Sequence, residues 1–239
     1  MNEIPRPQLE TILPQESEKA AYVRIMFDRI APRYDILNRL LSFQLDQHWR
    51  RQTIRAVAVT AQDVVIDLAC GTGDLSEIAV QTGAQVVGVD FAGQMLAAAQ
   101  RRGIKALFVQ ADASCVPLPD ASATVVLSGF ALRNFVSIPI VLNEAARILK
   151  PGGRLALLEV DTPANPVLRW GHQFYFNRVV PFLGALLSDS QAYAYLPRSV
   201  SYLPSPSEFT LIVEQAGFQQ IVRHQLSGGI AQLIVAHRK

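Results

Sequence analysis

The chain has 239 residues, half of them hydrophobic and 18% charged, which suits one domain with a full core and excludes a disordered chain. Its net charge of only +2 argues against a dedicated nucleic-acid-binding protein, so no nucleic-acid partner is expected. Two cysteines are too few for a disulfide framework or a metal site, which favours a reduced, cytoplasmic setting and no bound metal.

The N-terminal segment, residues 1–60, is basic and aromatic. Its first ten residues lack the apolar core of a signal peptide. Between residues 19 and 55 there are eight Lys or Arg and only three Asp, and the stretch FDRIAPRYDILNRLLSFQLDQHWRR (27–51) mixes five arginines with large apolar side chains. The ordinary interpretation of such charge is a solvated helix face, and we expect residues 16–60 to form a helical cap.

The next part of the chain, residues 61–161, alternates short apolar runs with helical patterns. The runs predict strands at Val64–Leu68, Val86–Val89, Leu107–Val109, Val125–Leu127 and Leu155–Leu158. A helix over Ile140–Leu149 should end at KPGG, where the proline and glycines turn the chain. Strands that are apolar on both faces and alternate with helices indicate a parallel sheet covered by helices on both sides.

The last two parts complete a single predicted domain. Residues 162–204 are aromatic and break the alternation, so we expect an inserted helical cap at the ligand edge of the sheet. Residues 205–239 predict a helix, with Ser205 as its cap and Glu208 completing a capping box, and then a hairpin around Gly228–Gly229. The predicted fold is α/β, with a seven-stranded sheet that ends in an antiparallel hairpin.

The stretch VVIDLACGTGDLSEIA carries the strongest functional signal. A strand leads through Asp67 to the tight turn Gly71-Thr72-Gly73, and Asp74 starts a helix. Glycines allow backbone to approach a ligand closely, but dinucleotide-binding folds also use such a turn. Two carboxylates beside the loop would repel a pyrophosphate, so a cationic cofactor such as S-adenosylmethionine fits better.

Two further strands end in aspartate. Asp90 follows the second strand and can accept both hydroxyls of a ribose, and Phe91 comes next to it. Asp112 follows the third strand, where a carboxylate can bind an adenine amino group. Because parallel strands end at one edge of a sheet, Asp67, Asp90 and Asp112 are predicted to line one cofactor site.

At this point the sequence resembles the class I S-adenosylmethionine-dependent methyltransferases, and in particular the UbiE/MenG family, which methylates a ring carbon of ubiquinone and menaquinone precursors. The similarity runs from about Ala21 to the C-terminus. It is carried by YDILNRLLSFQLDQHW, FALRNF (130–135), RILKPGGRLALLE (147–159) and AYAYLPRSV (192–200). The chain departs from the family pattern at Gln44, Asp46, Ala131 and Asp161.

The resemblance implies a class I, Rossmann-like fold, an S-adenosylmethionine cofactor and a set of site residues. The candidate cofactor residues, from both lines of argument, are Asp67, Gly71, Thr72, Gly73, Asp90, Phe91, Asp112, Ala113 and Ser128. The resemblance places Arg133 beside the reacting ring, with Asn134 and Tyr34 nearby. We predict that Arg133 stabilises a phenolate, because phenols have a pKa of about 10 and need help to ionise at neutral pH.

The implied substrate is a polyprenyl quinol, either a demethylmenaquinol or a 2-methoxy-6-polyprenyl-1,4-benzoquinol. Its isoprenoid tail is embedded in the bilayer. The arginines of the N-terminal segment are therefore expected to contact anionic lipid at the inner face of the membrane. Nothing in the sequence specifies a homodimer, which stays open. Other readings also stay open: an O- or N-methyltransferase of another small hydrophobic molecule, a non-catalytic cofactor-binding subunit and, least favoured, an NAD-dependent dehydrogenase.

Overall fold

The computed structural model describes residues 16–180 and 190–239. At its centre is a seven-stranded sheet with the strand order β3-β2-β1-β4-β5-β7-β6; β1 to β5 are parallel, and β7 pairs antiparallel with both β5 and β6. The strands are β1 (Val64–Leu68), β2 (Gln85–Asp90), β3 (Leu107–Gln110), β4 (Ala123–Gly129), β5 (Leu149–Val160), β6 (Phe218–Leu226) and β7 (Ala231–Arg238). This sheet confirms the predicted fold.

Helices cover the sheet and form both caps. They are α1 (Glu16–Ile30), α2 (Tyr34–Leu41), α3 (Leu45–Ala56), α4 (Asp74–Val80), α5 (Gly93–Arg101), α6 (Ile138–Ile148), α7 (Pro166–Phe174), α8 (Ser190–Ser199) and α9 (Pro206–Gln215). A 3₁₀ turn spans Leu132–Asn134, another spans Val200–Tyr202, and α7 continues as a π-helix through Tyr175–Val179.

The order of the strands decides where a ligand can bind. The chain adds β2 and β3 on one side of β1 and then returns to add β4 on the other side. Loops after β1 and after β4 therefore diverge and leave a crevice at the carboxyl ends of these strands. Two apolar cores, one on each face of the sheet, hold the strands in place; α6 and α9 contribute to the first, and α3 and α4 to the second.

The N-terminal helices close over this crevice. Buried side chains of α1 and α2 form a third core with residues of α5 and of the segment that follows β5. Polar contacts add to it: Lys19 Nζ donates to the carbonyl of Phe135 at 2.6 Å, and Asp28 accepts from the backbone N–H of Gln94 at 2.8 Å. The helices α1 and α2 therefore cover the carboxyl edge of the sheet, and we call them the lid.

Local predictions at the end of the chain agree with the structure, and one earlier boundary differs. Ser205 and Glu208 form the capping box of α9, and β6 and β7 pair around the Gly228–Gly229 turn. However, KPGG does not separate α6 from a short strand. Strand β5 already starts at Leu149 and includes these four residues. Its pairing with β4 is irregular there, because the register shifts between Ala123 and Val125 of β4.

Candidate active site

A cavity of about 260 Å³ lies at the carboxyl ends of the parallel strands. Five of the nine predicted cofactor residues line it: Gly71, Asp90, Phe91, Asp112 and Ala113. Its roof comes from the lid, where Val23, Phe27 and Tyr34 face it. We call this space the smaller cavity.

Asp90 is the most constrained polar group of the smaller cavity. It is 6% exposed, and its two carboxylate oxygens accept hydrogen bonds from the backbone N–H groups of Gly71 and Ala92, both at 2.8 Å. Burial raises the pKa of Asp90 to about 6, while these backbone hydrogen bonds oppose the rise. The carboxylate therefore fixes the glycine loop and still has lone pairs for ligand hydroxyls.

The other four predicted cofactor residues do not line the smaller cavity. Asp67 lies behind the glycine loop and accepts a hydrogen bond from Ser76 Oγ at 2.7 Å, and Ser128 Oγ donates to the carbonyl of Leu68 at 2.8 Å. Gly73 has no room for a side chain, because a Cβ there would lie 2.8 Å from Ile104 Cδ1. Thr72 Oγ1 donates to Asp35 of α2 at 2.5 Å, so it joins the loop to the lid.

Asp74 has a different environment from the one the sequence suggested. Arg102 Nη1 lies 2.6 Å from its carboxylate, Arg39 Nη2 lies 3.3 Å away, and Arg50 Nε lies 3.6 Å away. Burial opposes ionisation, but the charges of Arg50 and Arg102 hold the pKa of Asp74 below its ordinary value. The carboxylate is thus neutralised by protein groups, and Gly73, not Asp74, is the N-cap of α4. Asp74 therefore does not explain a preference for a cationic ligand.

A second, larger cavity of about 420 Å³ adjoins the first, and Tyr34 and Phe130 line both. We call it the larger cavity. Its walls are mostly apolar and come from α2, α3, α7 and the π-helix, including Leu41, Trp49, Leu168, Phe176, Val180 and Ile230. The insert and the N-terminal segment therefore enclose one apolar space that opens towards the smaller cavity.

Arg133 lines the larger cavity and forms a buried ion pair with Glu159, which is completely buried at the end of β5. The same carboxylate accepts hydrogen bonds from the backbone N–H groups of Arg133, at 3.3 Å, and Val160, at 2.8 Å. The Nε atom of Arg133 is buried and has no hydrogen-bond partner among the described residues. Arg133 is consequently held in place by Glu159 and retains an unused donor.

The other two predicted catalytic residues lie at the junction of the cavities. Burial raises the pKa of Tyr34, and the nearby charges of Arg50 and Arg133 oppose the rise, so Tyr34 keeps its hydroxyl proton at neutral pH. Asn134 lines the smaller cavity and accepts a hydrogen bond from Tyr195 at 3.2 Å. Arg133, Asn134 and Tyr34 thus surround the passage between the two spaces.

Sequence reasoning missed Glu159 and Phe130. A signal existed for Glu159, since a charged residue at the end of the apolar run LALLEV must find a partner when the strand is buried. Phe130 adopts a φ of 61°, an unfavourable value for a residue with a side chain, and its ring lies 6.2 Å from that of Trp49. Nothing in the sequence indicates that torsion.

The model of the ubiE/COQ5 methyltransferase family matches residues 15–238 of the chain. The chain belongs to the ubiE/COQ5 methyltransferase family. The ubiquinone/menaquinone biosynthesis C-methyltransferase UbiE of Syntrophotalea carbinolica is 42% identical over 216 residues, 88% of this chain and 91% of that protein. The demethylmenaquinone methyltransferase of Thermus thermophilus is 43% identical over 221 residues, 89% of this chain and 100% of that protein.

Solved structures agree on the fold. A methyltransferase from Thermotoga maritima superposes with a TM-score of 0.62 at 20% identity, covering 91% of this chain and all of that chain. One from Aquifex aeolicus gives 0.59 at 15% identity, covering 80% of this chain and 89% of that chain. The fold is the class I methyltransferase fold, and membership of the family makes the chain an S-adenosylmethionine-dependent methyltransferase.

The smaller cavity suits this cofactor chemically. The carboxylates of Asp90 and Asp112 can accept hydrogen bonds from hydroxyl and amino groups, and Val89 and Ala113 offer apolar surface to a flat base. Gly71 has a φ of +57°, and nothing lies within 4 Å of the place where a Cβ would sit. Backbone of the glycine loop can therefore touch a ligand directly.

The buried position of Asp67 behind the glycine loop can be tested through the pH dependence of stability. Burial raises its pKa to about 7, above the ordinary value of 3.8, with Ser76 opposing the rise. The stability of the cofactor-free protein should therefore fall as the pH rises from about 4 to 7, because the unfolded chain loses the proton first. Asp67→Asn should reduce this slope, to which Asp90 also contributes, and raise the free energy of unfolding at pH 8 by a few kcal/mol, since one pKa unit is about 1.4 kcal/mol. Urea titrations at several pH values measure it; an unchanged slope would contradict the assignment.

Proposed function

We propose that this methyltransferase transfers the methyl group of S-adenosylmethionine to a ring carbon of a polyprenyl quinol, converting a demethylmenaquinol to a menaquinol. The proposal is supported by the relatives that match over most of their length, two of which are named for ubiquinone/menaquinone biosynthesis and for demethylmenaquinone. The observation that carries it is the pair of adjoining cavities, one polar enough for the cofactor and one apolar enough for a prenylated ring.

The cofactor is proposed to occupy the smaller cavity. It contacts Gly71, Phe91 and Ala113 there. Asp90 accepts hydrogen bonds from its ribose hydroxyls, and Asp112 accepts a hydrogen bond from its adenine amino group. When bound, S-adenosylmethionine supplies an electrophilic methyl group. The remaining candidates, Asp67, Thr72, Gly73 and Ser128, support the loop and the strand ends from behind.

The quinol ring is proposed to lie in the larger cavity at Tyr34 and Phe130, where that space meets the smaller one. A ring at this place would lie beside Arg133, which lines the same cavity and whose guanidinium group can stabilise a phenolate oxygen. Tyr34 stays protonated and can donate to the same or the opposite oxygen. A phenolate places charge on the adjacent ring carbon, which then attacks the methyl group.

Mass spectrometry tests the reaction itself. Purified protein is incubated with cofactor labelled in its methyl group and with either the reduced or the oxidised form of a demethylated naphthoquinone. We expect label on a ring carbon of the reduced form and none with the oxidised form, because a quinone ring is electron-poor. Label on an oxygen or nitrogen of another compound, with none on ring carbon, would favour the alternative methyltransferase classes.

The outer wall of the larger cavity is proposed to rest on a membrane surface. In α7, Val167 is 77% exposed, and the stacked rings of Trp170 and Phe174 are 72% and 56% exposed. Phe43, 74% exposed, lies across the cavity from α7 and contacts Tyr175. An isoprenoid tail could pass between these side chains into lipid. None of the described helices is long and apolar enough to cross a bilayer.

The basic residues contribute less to this surface than the sequence suggested. Lys19 and Arg50 are buried, so these two cannot contact lipid, and the partly exposed Arg39 pairs with Asp74. The exposed basic residues of the segment are Arg24, Arg29, Arg33, Arg51 and Arg55. Such side chains contribute about 1 kcal/mol each near an anionic surface.

Vesicle flotation tests the docking surface. The double substitution Trp170→Ser and Phe174→Ser should lower binding to vesicles that contain anionic lipid at least about 100-fold, because burying each of the two side chains contributes about 1.5–3 kcal/mol. Leu211→Ser, which removes an equally exposed apolar side chain from α9, is the matched control and should leave binding unchanged. Binding that is independent of the two aromatic residues, of lipid charge and of salt would contradict the proposal.

A further inference from the structure

The larger cavity has few groups that can accept a proton. Its ionisable wall residues are Tyr34, Asp46, Arg50, Arg133, His172 and Tyr175. Arginine side chains offer only donors, and burial raises the pKa of both tyrosines, so these four act as donors at neutral pH. Among the described wall residues, only Asp46 and His172 remain as candidate bases for the phenolic proton.

Asp46 is already occupied. One of its oxygens accepts a hydrogen bond from Ser42 Oγ at 2.6 Å, and the other accepts from Gln47 Nε2 at 3.0 Å. Arg50 Nε lies 3.8 Å from the same carboxylate. Both oxygens of Asp46 are therefore already used in contacts within the protein.

His172 has the opposite environment. It lies on α7, and its ring stacks on that of Phe176 with a centroid distance of 5.1 Å. Its Nε2 atom is shielded from water and has no hydrogen-bond partner among residues 16–180 and 190–239. A buried polar atom without a partner costs free energy, which a ligand donor would recover. His172 also lines the larger cavity, so a ligand bound there could supply the partner that this nitrogen lacks.

We propose that His172 is the general base that accepts the phenolic proton of the substrate. The proposal rests on the proposed function, since it places a quinol ring in the larger cavity. Nε2 takes the hydroxyl proton, Arg133 stabilises the resulting phenolate, and the ring carbon forms a bond to the methyl carbon while the donor sulfur keeps the electron pair of the broken bond. The ring then loses its C–H proton to water and becomes aromatic again, and His172 returns its proton to the oxygen.

Burial keeps His172 neutral. Burial lowers its pKa below the ordinary 6.5, and the carboxylate of Asp161 opposes this shift. Asp161 is itself paired with Arg223 at 2.6 Å, and Arg50 and Arg133 lie in the wall of the same cavity. A neutral imidazole at pH 7 is the form that accepts a proton.

Single-turnover kinetics from acidic to alkaline pH test the proposal. In the unaltered enzyme the rate should fall as the pH drops below 6.5, where His172 gains a proton. His172→Phe keeps an aromatic ring against Phe176 but has no nitrogen; it should lose about 100-fold in rate at neutral pH and should lose the acidic limb, while cofactor affinity is unchanged. His172→Gln is a second variant in case the first folds poorly. His224→Gln changes an exposed histidine of β6 and should leave both the rate and the pH profile unaltered.

A second readout does not depend on turnover. The chain has four histidines, so ¹⁵N-histidine spectra can be assigned by substitution. Adding 4-methoxy-1-naphthol, a stable analogue of a naphthoquinol, should shift the Nε2 resonance of His172 in the direction of a hydrogen-bond acceptor. A variant that lacks His172 yet keeps the rate and the acidic limb, or an analogue that leaves the resonance unchanged, would overturn the proposal. Absence of any quinol methylation by the unaltered enzyme would instead contradict the proposed function, and this role with it.

Discussion

Arg133→Met is expected to cost about 3–5 kcal/mol of stability, because it leaves the charge of Glu159 unpaired in a fully buried position. Adding Glu159→Gln should recover most of that loss, since the double variant has no buried charge and Gln can still accept the N–H of Val160. Turnover should nevertheless stay about 100- to 1,000-fold below normal in both variants, the usual cost of removing a donor that stabilises an oxyanion. Urea unfolding and single-turnover rates on the same samples measure the two effects.

The two measurements separate a structural from a catalytic role for Arg133. If the pair only fastens the 3₁₀ turn Leu132–Asn134 to β5, the stable double variant should regain turnover together with stability. Arg133→Lys is the complementary control, because it keeps the charge but not the fork of donors. We expect this variant to fold and to remain slow; near-normal turnover by either variant would contradict the proposed stabilisation of a phenolate.

Asp90→Asn is expected to weaken cofactor binding about 100-fold, which corresponds to about 3 kcal/mol and to the loss of charged hydrogen bonds worth about 1.5–3 kcal/mol each. In addition, the amide nitrogen of Asn would meet the backbone N–H of either Gly71 or Ala92. The unaltered protein should bind the cofactor with constant affinity above pH 7. Below pH 6 its affinity should fall about tenfold per pH unit, because burial raises the pKa of the free carboxyl to about 6 and the cofactor binds the ionised form.

Calorimetric titration of S-adenosylmethionine at several pH values measures both effects. Asp67→Asn is the matched control, since Asp67 has a similarly raised pKa but lies behind the loop. It should keep both the affinity at pH 8 and the decline below pH 6. A decline that disappears in Asp67→Asn and persists in Asp90→Asn would reverse the roles that we give to these two carboxylates.

Much of the fold could be predicted because its determinants are local. Strands with apolar residues on both faces, the capping box at Ser205 and the glycine turn at Gly228 each depend on a few neighbouring residues. The position of the cofactor site could be predicted from the strands, because parallel strands bring Asp90 and Asp112 to the same edge of the sheet. The departure at Gln44 also has a local meaning: the residue has a φ of 62°, where a glycine would be unstrained.

The parts that could not be predicted depend on contacts between distant segments. Asp67 and Asp90 both sit at a strand end, yet only Asp90 faces the smaller cavity, and the difference is one of depth behind the glycine loop. Asp74 was expected to repel a pyrophosphate, and its neutralisation could not be predicted, because its three arginine neighbours come from α2, α3 and the end of α5. Likewise, His172 lines the larger cavity only because α7 packs near α2 and α3, which are distant from it in the sequence.

A crystal structure of the enzyme with S-adenosylhomocysteine and a demethylated naphthoquinol tests the central claim most directly. We predict the ribose on Asp90 in the smaller cavity, the sulfur directed at the passage by Tyr34 and Phe130, and the quinol ring in the larger cavity with an oxygen near Arg133. Cofactor density away from Asp90, or a ring bound outside the space between α2, α3 and α7, would contradict it.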